Sequence, residues 1–397
     1  MGFYLFVLLL VVVLLFMGVD AWLHFNTWQS RIKIGRYTND TQWKAAVQKR
    51  ALQWLAHMPV AKLTDNSRLI LWDIIRGNYK RSTIQIWQKA ALFIGLTDVA
   101  EATQDTELRV ALKKAMEGQF TVEGTWKIKP KEMDWVMMAH AIIRVHWQQF
   151  PQKYEPAFDE TYALILSLKG EDGLIAYKSH MPNYRYVDTL GFICPFLTHY
   201  GLQFNHPEAI ALAYQQLDGF HQHGMMAQEF LPCHTYQTKS KLPVGLFGWG
   251  RGLAWYAYGI MDMYLALPEN HPYKESLAQK IQLFTASAIK YQNANGSWNW
   301  LLFDASSRND SSTTAVMGWV LSALPESLSS NATESALQKA KTYLQSVTQR
   351  NGAIDFSQGD TKAIGIHAQT FEILPFTQGF ALRMMAHITY AKRNSTA

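Results

Sequence analysis

Helical periodicity is the feature of this sequence that most constrains its fold. Downstream of about residue 40, apolar residues recur at three- and four-residue spacing, as expected for helices with one buried face. The segments with this spacing are Trp43–Leu55, Met133–Trp147, Ala157–Ser167, Thr189–Tyr200, Ala209–His221, Gly252–Leu267, Lys274–Tyr291, Thr313–Ala323, Thr333–Val347 and Thr377–Tyr390. Strand signals are few, and prolines and polar loops separate the segments. About a dozen helices in roughly 350 residues predict an all-α toroid or solenoid.

Two of the loops between the predicted helices read alike. GEDGLIAY at 170–177 and NANGSWNW at 293–300 each place a polar turn before an apolar or aromatic stub, and a third turn is predicted at Arg350–Gly352. We interpret them as short turns at one end of a toroid of paired helices. No ankyrin or tetratricopeptide signature and no long low-complexity linker occurs. One large domain is therefore predicted over 41–397, with residues 22–40 as a linker before it.

An uninterrupted apolar run of 17 residues, from Phe3 to Val19, lies near the start of the chain. This length is just enough to span the hydrocarbon core of a membrane, so residues 1–21 are predicted as a single-pass anchor that contacts lipid through 3–19. A cleaved signal segment is the alternative, because Val19 and Ala21 stand at a tolerable cleavage spacing, and a cleaved chain would be secreted or periplasmic. No Lys or Arg precedes the run, which favours the uncleaved anchor.

The formal net charge of +6 and the pI near 9.0 indicate an anionic partner, which could be nucleic acid, anionic lipid or an acidic sugar. No run of five or more Lys or Arg occurs, so nucleic acid is the weakest of the three and is not predicted. The 14 Trp suit a carbohydrate cleft, although core packing explains most of them. Cys194 and Cys233 lack metal-site spacing, so neither a disulfide framework nor a metal site is predicted, although a single bridge between them remains possible.

The candidate chemistry lies in acids beside aromatic residues and glycines. The sequence has no Walker loop, dinucleotide fingerprint, HExxH or GxSxG motif. Asp188 and Asp134 each stand at the opening of a predicted helix, where an acid can also serve only as a cap. Arg251 lies between Trp249 and Trp255. There it could bind a carboxylate through two parallel hydrogen bonds, or it could merely pack over the first turn of a helix.

Four elements in order carry a resemblance to a known family. YRYVDTLGFICPFLTHYG (184–201) resembles a signature of glycoside hydrolase families 88 and 105, and FGWGRGLAWYAYGIMDMYLALP (247–268) is similar to a second. Between them, PCHTYQT (232–238) resembles the family's histidine element. The run from NANGSWNW to VLSAL (293–324) matches a later pattern of the same family.

The resemblance implies an (α/α)6 toroid, a barrel of six helical hairpins, and an unusual hydrolytic reaction. Family members hydrate the C4=C5 double bond of an unsaturated uronic acid, and the resulting hemiketal opens and releases the neighbouring sugar. Asp188 corresponds to the proton donor and Asp134 to a second active-site aspartate, while His234 and Arg251 align with substrate-binding residues. Trp249, Trp255 and Tyr177 complete the predicted substrate contacts. An acidic oligosaccharide is the implied partner, and no metal or organic cofactor is implied.

Three departures from the family pattern bear on substrate choice. Tyr186 stands where members often have Trp, Tyr177 stands near an expected histidine, and Ala254 replaces a glycine. A change beside the acid alters ring stacking more readily than it abolishes proton transfer, so catalysis stays the favoured interpretation.

The charges after the span bear on which side of the membrane the domain occupies. Arg31, Lys33 and Arg36 follow the span, so the positive-inside bias predicts a cytoplasmic domain. A secreted glycan enzyme would need the opposite orientation, and the side is left open.

Three rival functions suit parts of the same pattern. A polysaccharide lyase or another hydrolase on the same toroid would use similar acids and would act on intact polymer. A non-catalytic glycan-binding toroid would keep its ligand affinity after loss of Asp188. A membrane scaffold without a sugar ligand leaves the ordered motifs unexplained.

Overall fold

The computed structural model describes residues 1–80, 86–147 and 150–394, which contain fourteen α-helices and ten short strands. The helices in chain order are α1 (Gly2–Arg31), α2 (Asp40–Ala56), α3 (Ile70–Ile75), α4 (Ile86–Thr103), α5 (Thr106–Glu117), α6 (Val136–Ile143), α7 (Glu155–Ser167), α8 (Val187–Gln203), α9 (Pro207–Gly224), α10 (Gly250–Ala266), α11 (Lys274–Lys290), α12 (Ser311–Ala323), α13 (Asn331–Ser346) and α14 (Pro375–Asn394). The periodic segments of the sequence all fall on helices, whose ends lie within a few residues of the predicted ones.

The strands are short and antiparallel. In chain order they are β1 (Ala61–Lys62), β2 (Tyr79–Lys80), β3 (Tyr184–Tyr186), β4 (Met225–Met226), β5 (Leu231–Gln237), β6 (Pro243–Phe247), β7 (Trp298–Asn299), β8 (Asn309–Asp310), β9 (Ser357–Gln358) and β10 (Phe371–Glu372). β3, β4 and β6 all pair with β5 in a small sheet, and the remaining strands form two-stranded pairs. The sequence did not predict this sheet, whose longest strand, β5, is buried and contributes Leu231, Cys233 and Tyr236 to the core.

Six helices form an inner ring. α4, α6, α8, α10, α12 and α14 each pack against the next, and α14 packs against α4 to close the ring. The other six long helices of the domain, α2, α5, α7, α9, α11 and α13, alternate with them in the chain and pack on their outer faces. This arrangement confirms the prediction of an (α/α)6 toroid.

Two helices of the toroid were missing from the periodic segments. α4 is buried around most of its circumference, so it has no polar stripe from which a helical period could be read. α5 carries an ordinary amphipathic pattern, with Leu108, Leu112 and Met116 buried and Asp105 as its N-cap, and the prediction simply missed it.

Two glycines form the seam between α4 and α14. A methyl group on Gly95 would overlap the carbonyl oxygen of Gly379, and one on Gly379 would overlap that of Ala91. Glycine is therefore required on both sides for the two backbones to pack at this distance.

A recurring turn follows four of the outer helices. Gly124, Gly173, Gly296 and Gly352 each have a φ between 77° and 92°, a conformation that favours glycine. Three of these turns match the predicted ones, and the first, after α5, is a further copy. Each turn redirects the chain to the end of the ring where the next inner helix begins.

The apolar run of the N-terminus lies in α1, which continues without a break to Arg31. Among the described residues, α1 is the one helix long and apolar enough to cross a membrane, as expected of an anchor or a signal segment. Residues 22–31, which the sequence analysis assigned to a linker, continue this helix. Arg31 binds Asp355 through two hydrogen bonds of 2.8 and 3.0 Å, so α1 is held directly against the toroid.

Candidate active site

A cleft of about 490 Å³ opens where the inner helices begin. All seven predicted site residues line it, although they are far apart in the sequence. They are Asp134, Tyr177, Asp188, His234, Trp249, Arg251 and Trp255. The other residues of the lining are Trp87, Glu132, Lys178, His180, Met181, Tyr186, Phe192, Asp360, Thr361, Lys362, Ala363 and Ile364.

The small sheet brings the predicted motifs together. β3 leads directly into α8, which carries Asp188 in its first turn, and β5 carries His234. β6 ends shortly before Trp249 and Arg251 at the start of α10. Because β3 and β6 pair with opposite edges of β5, the three motifs meet at one mouth of the ring.

The turn at 170–173 supports the same region. Arg185 of β3 binds Asp172 through hydrogen bonds of 3.1 and 2.6 Å and also donates to the carbonyls of Pro182 and Tyr184. A bidentate pair of this kind fixes geometry well. The predicted turn therefore helps to hold the strand that precedes Asp188.

Asp188 is a buried carboxyl that lacks the partners of an ordinary helix cap. Tyr186 occupies the N-cap position of α8, so Asp188 is not the cap residue. The Oδ2 atom of Asp188 is buried and has no hydrogen-bond partner. A buried, unpaired carboxylate oxygen is unfavourable, which favours the protonated form of the group.

The electrostatic surroundings of Asp188 point the same way. The pKa of Asp188 is raised from 3.8 to about 7, mainly by burial and also by the nearby carboxylates of Asp134 and Asp360, which together outweigh the lowering effects of a backbone hydrogen bond and Arg251. Near neutral pH this side chain can therefore hold a proton and release it, which is what a general acid must do.

His234 lies beside Asp188 without neutralising it. The His234 Nε2 and Asp188 Oδ2 atoms are 3.6 Å apart, within ion-pair range but too far for a hydrogen bond. Burial, aided by the neighbouring His367, lowers the pKa of His234 to about 3, so its ring is neutral at pH 7. Because the His234 ring carries no charge at this pH, the contact is not a salt bridge.

Asp134 forms a second acidic centre with Tyr177. Asp134 lies in the 3-10 turn Met133–Trp135 that precedes α6, and the Tyr177 hydroxyl donates to its Oδ1 at 2.5 Å. Burial raises the pKa of Asp134, and the hydrogen bond from Tyr177 opposes that rise. The Tyr177 ring is parallel to that of Phe192 at 5.9 Å, which sets the direction of its hydroxyl.

Arg251 is anchored at one end of its guanidinium group. Its Nη2 donates to the carbonyls of Gln358 and Gly359, while Nε and Nη1 are buried without a hydrogen-bond partner. Nη1 lies 3.7 Å from Asp360. A guanidinium binds a carboxylate with two parallel hydrogen bonds only through Nε and Nη2 or through Nη1 and Nη2. The predicted clamp would therefore have to share Nη2 with these two carbonyls.

The two tryptophans form walls of the cleft more than open platforms. The Trp249 ring lies 4.5 Å from His234, and its Nε1 donates to the Gln358 side chain at 3.1 Å. Trp255 packs on Phe192, with ring centroids 4.5 Å apart. Both tryptophans are only 2% exposed, so a sugar could reach little more than one edge of each ring.

The motif at 293–324 supports the site through residues that do not line the cleft. Asp310 caps α12 by accepting from the backbone of Ser312 and Thr313, and its Oδ1 also accepts from the backbone N–H of Gln358. Since Gln358 in turn contacts Trp249 and Arg251, this buried aspartate positions the start of α10.

The cleft also contains residues that the sequence analysis did not find. Asp360, Thr361 and Lys362 stand on the loop between β9 and β10, far along the chain from every motif. No local pattern marks this loop, which reaches the cleft only because the ring closes. Glu132 could have been found, since it lies two residues before Asp134. Among the described residues, no group of three or more His, Cys, Asp or Glu is placed to hold a metal ion, and both cysteines are free and buried.

Comparisons with known proteins agree with this geometry. The family model Glycosyl Hydrolase Family 88 matches residues 46–393. A possible member of glycoside hydrolase family 105 from Salmonella enterica serovar Paratyphi A has a similar structure, with a TM-score of 0.73 at 17% identity and coverage of 90% of this chain and 96% of the other.

Two further solved structures show the same fold. An unsaturated glucuronyl hydrolase responsible for glycosaminoglycan degradation, from Bacillus sp. GL1, superposes with a TM-score of 0.60 at 15% identity, covering 90% of this chain and 96% of its own. A protein described as a polysaccharide lyase gives a TM-score of 0.62 at 15% identity, covering 87% and 98%. No curated protein matches the sequence.

Proposed function

The chain belongs to glycosyl hydrolase family 88, and we propose from this premise that it hydrates the C4=C5 double bond of a terminal unsaturated uronic acid in lyase-generated oligosaccharides. The observation that carries the proposal is Asp188, a buried carboxyl with an unpaired oxygen and a pKa of about 7. Protonation of a vinyl ether at carbon requires an acid that holds its proton at the working pH.

The proposed reaction uses Asp188 first as an acid and then as a base. Its proton goes to C4, and a water molecule adds its oxygen to C5 while returning a proton to the carboxylate. The product is a hemiketal, whose ring opens and releases the neighbouring sugar. Each hydration thus consumes one water and restores the protonated carboxyl.

Asp134 and Tyr177 are proposed to keep Asp188 protonated and to orient the sugar. The negative charge of Asp134 raises the pKa of Asp188, and Tyr177 holds Asp134 by its short hydrogen bond. The guanidinium of Arg251 is proposed to donate a charge-assisted hydrogen bond from Nη1 to the uronate carboxylate, while Nη2 stays bound to the protein. His234, Trp249 and Trp255 are proposed to contact the sugar ring.

A lyase is less well supported by the same site, although a protein described as a polysaccharide lyase shares the fold. A lyase needs a base that removes the C5 proton, whereas Asp188 retains its own proton near neutral pH. A binding protein without catalysis would have no use for the raised pKa. We further propose that α1 is an uncleaved anchor, which would tether the enzyme to a membrane.

The test is to incubate the full-length protein in detergent with a panel of lyase-generated unsaturated oligosaccharides and to follow the ultraviolet absorbance of the C=C bond. We expect absorbance to fall on at least one member, with a rate that declines above about pH 7 as Asp188 loses its proton. Absorbance that rises on intact polymer would identify a lyase. Binding without turnover on every member would leave a glycan-binding protein.

A further inference from the structure

α3 presents an apolar face to the outside of the toroid. Leu69, Trp72 and Ile75 stand at three-residue spacing, on one side of this short helix, and are 59%, 46% and 64% exposed. Large apolar side chains grouped on a surface mark a site of interaction with an apolar partner. We call these three residues the seating surface.

The seating surface is attached to the end of the apolar run. The Asp20 carboxylate accepts from the backbone N–H groups of Leu69 and Ile70, both at 2.8 Å. His24 contacts the carbonyl of Ser67 at 2.8 Å. These contacts place α3 beside α1 at the level where the apolar run ends.

The length of the run fixes the depth of that level in a bilayer. A helix of 17 residues spans about 25 Å, which is just enough to cross the hydrocarbon core, so the hydrocarbon boundary falls near Asp20. Trp22, Phe25 and Trp28 follow and are exposed, as in the aromatic belts at membrane interfaces. Both oxygens of Asp20 already accept hydrogen bonds, so the carboxylate can lie at the hydrocarbon boundary without an unsatisfied acceptor.

We propose that the seating surface rests in the headgroup region of the bilayer that α1 crosses, and that the toroid therefore has a fixed orientation relative to the membrane. The occupant is a lipid surface, because α3 lies beside the membrane-spanning part of α1 at interfacial depth. Arg68 and Arg76 of the same segment supply positive charge for anionic lipid, and the Arg76 guanidinium covers the Trp72 ring at 4.9 Å. This inference rests on the proposed membrane anchor and does not depend on the reaction in the cleft.

This orientation also determines how close the cleft lies to the membrane. Asp65, shortly before α3, accepts from the Lys362 ammonium at 2.5 Å and from the backbone N–H of Gln369 at 3.1 Å. Lys362 belongs to the loop that lines the cleft together with Asp360 and Ile364. The segment that bears the seating surface thus holds the rim of the cleft, and a substrate would be captured beside the bilayer.

The test measures depth with variants of the full-length protein that each carry one introduced cysteine. Cys194 and Cys233 are buried and unexposed, so a cysteine introduced at Trp72 or Ile75 can be labelled selectively with an environment-sensitive fluorophore. The protein is reconstituted in vesicles of phosphatidylcholine and phosphatidylglycerol, with and without lipids that carry a quenching nitroxide. Trp72→Cys and Ile75→Cys should be quenched severalfold more than Leu283→Cys, a matched control on the outer helix α11 whose exposure lies between those of Trp72 and Ile75.

A label at Leu10→Cys, within the apolar run, reports whether α1 is inserted at all. Quenching at position 10 but not at 72 or 75 overturns the proposal, because the toroid then hangs free of the bilayer. Absence of quenching at position 10 overturns it as well, since the depth of Asp20 depends on insertion. Neither Trp72 nor Ile75 lines the cleft, so turnover of a soluble substrate should not change in these variants.

Discussion

The two mouths of the ring both bury charged groups, but they treat them in opposite ways. At the far mouth, a cavity of about 680 Å³ is lined by Asp98, Asp262, Arg144 and Arg383. Arg383 donates to Asp262 at 2.8 and 2.9 Å and to Asp98 at 2.8 Å, and Arg144 lies 2.7 Å from Asp98. At the cleft, the Asp188 carboxyl has no such partner.

The pKa values follow the partners. Burial by itself would raise the pKa of Asp98 and Asp262, but the two arginines reverse the shift, and both carboxyls titrate below their ordinary value. Asp188 is nearly as enclosed, with its side chain 13% exposed, but it has no arginine hydrogen bond, and its pKa rises to about 7. Pairing therefore decides whether a buried acid serves structure or can carry a proton.

The largest effect is expected at the far mouth. Arg383→Met leaves Asp98 and Asp262 buried with too little positive charge, so the free energy of unfolding should fall by about 3–5 kcal/mol. Urea unfolding at pH 7 measures it. The exposed Arg350→Met is the matched control and should change stability by less than about 0.5 kcal/mol. Equal stability of the two variants would remove the structural half of the comparison.

Asp188→Asn should have the next largest effect, on rate and not on folding. Asparagine is nearly isosteric but delivers no proton, so turnover should fall at least about a hundredfold, or about 2.7 kcal/mol in activation free energy. Glu275→Gln, an exposed acid in the first turn of α11, is the control for a helix-dipole role and should leave the rate unchanged. A near-normal rate in the Asn variant would sink the catalytic assignment.

The melting temperature of the Asn variant has a predictable dependence on pH. In the folded chain Asp188 keeps its proton up to about pH 7, whereas the unfolded chain releases it near 3.8. The folded state therefore binds more protons between these values, and this residue makes the wild type less stable as pH rises through that window. At pH 4 the variant should melt within a few degrees of the wild type. At pH 8 its melting temperature should equal or exceed that of the wild type.

Arg251→Lys is expected to have the smallest effect. Lysine keeps the charge but loses the planar fork, so substrate binding should weaken by roughly 1–3 kcal/mol, seen as a higher KM. Because Nη2 also donates to Gln358 and Gly359, unfolding free energy should fall by about 1 kcal/mol as well. A loss of stability with unchanged KM would assign Arg251 to structure alone.

The fold could be predicted from sequence wherever a helix has a polar, solvent-exposed face and an apolar, buried face. α9 and α13 carried that signal, whereas α4 is apolar all round and gave none. All seven predicted site residues reached one cleft, because each stands in a motif at the start of an inner helix or beside it; their individual roles stay predictions. Asp360 was missed because only closure of the ring brings its loop to the cleft. The sheet was missed because its longest strand, β5, is buried along nearly its whole length and so lacks the alternation of apolar and polar residues that marks a strand.

The glycine seam between α4 and α14 has a consequence for how the protein is made. α14 closes the ring by packing on α4. More than half of the sequence must therefore be synthesised after α4 before its principal neighbour is present. Until then its apolar surface is exposed to chaperones and to other nascent chains. Ribosomal stalling or a premature stop before α14 should yield a product for quality control, with no partly active form.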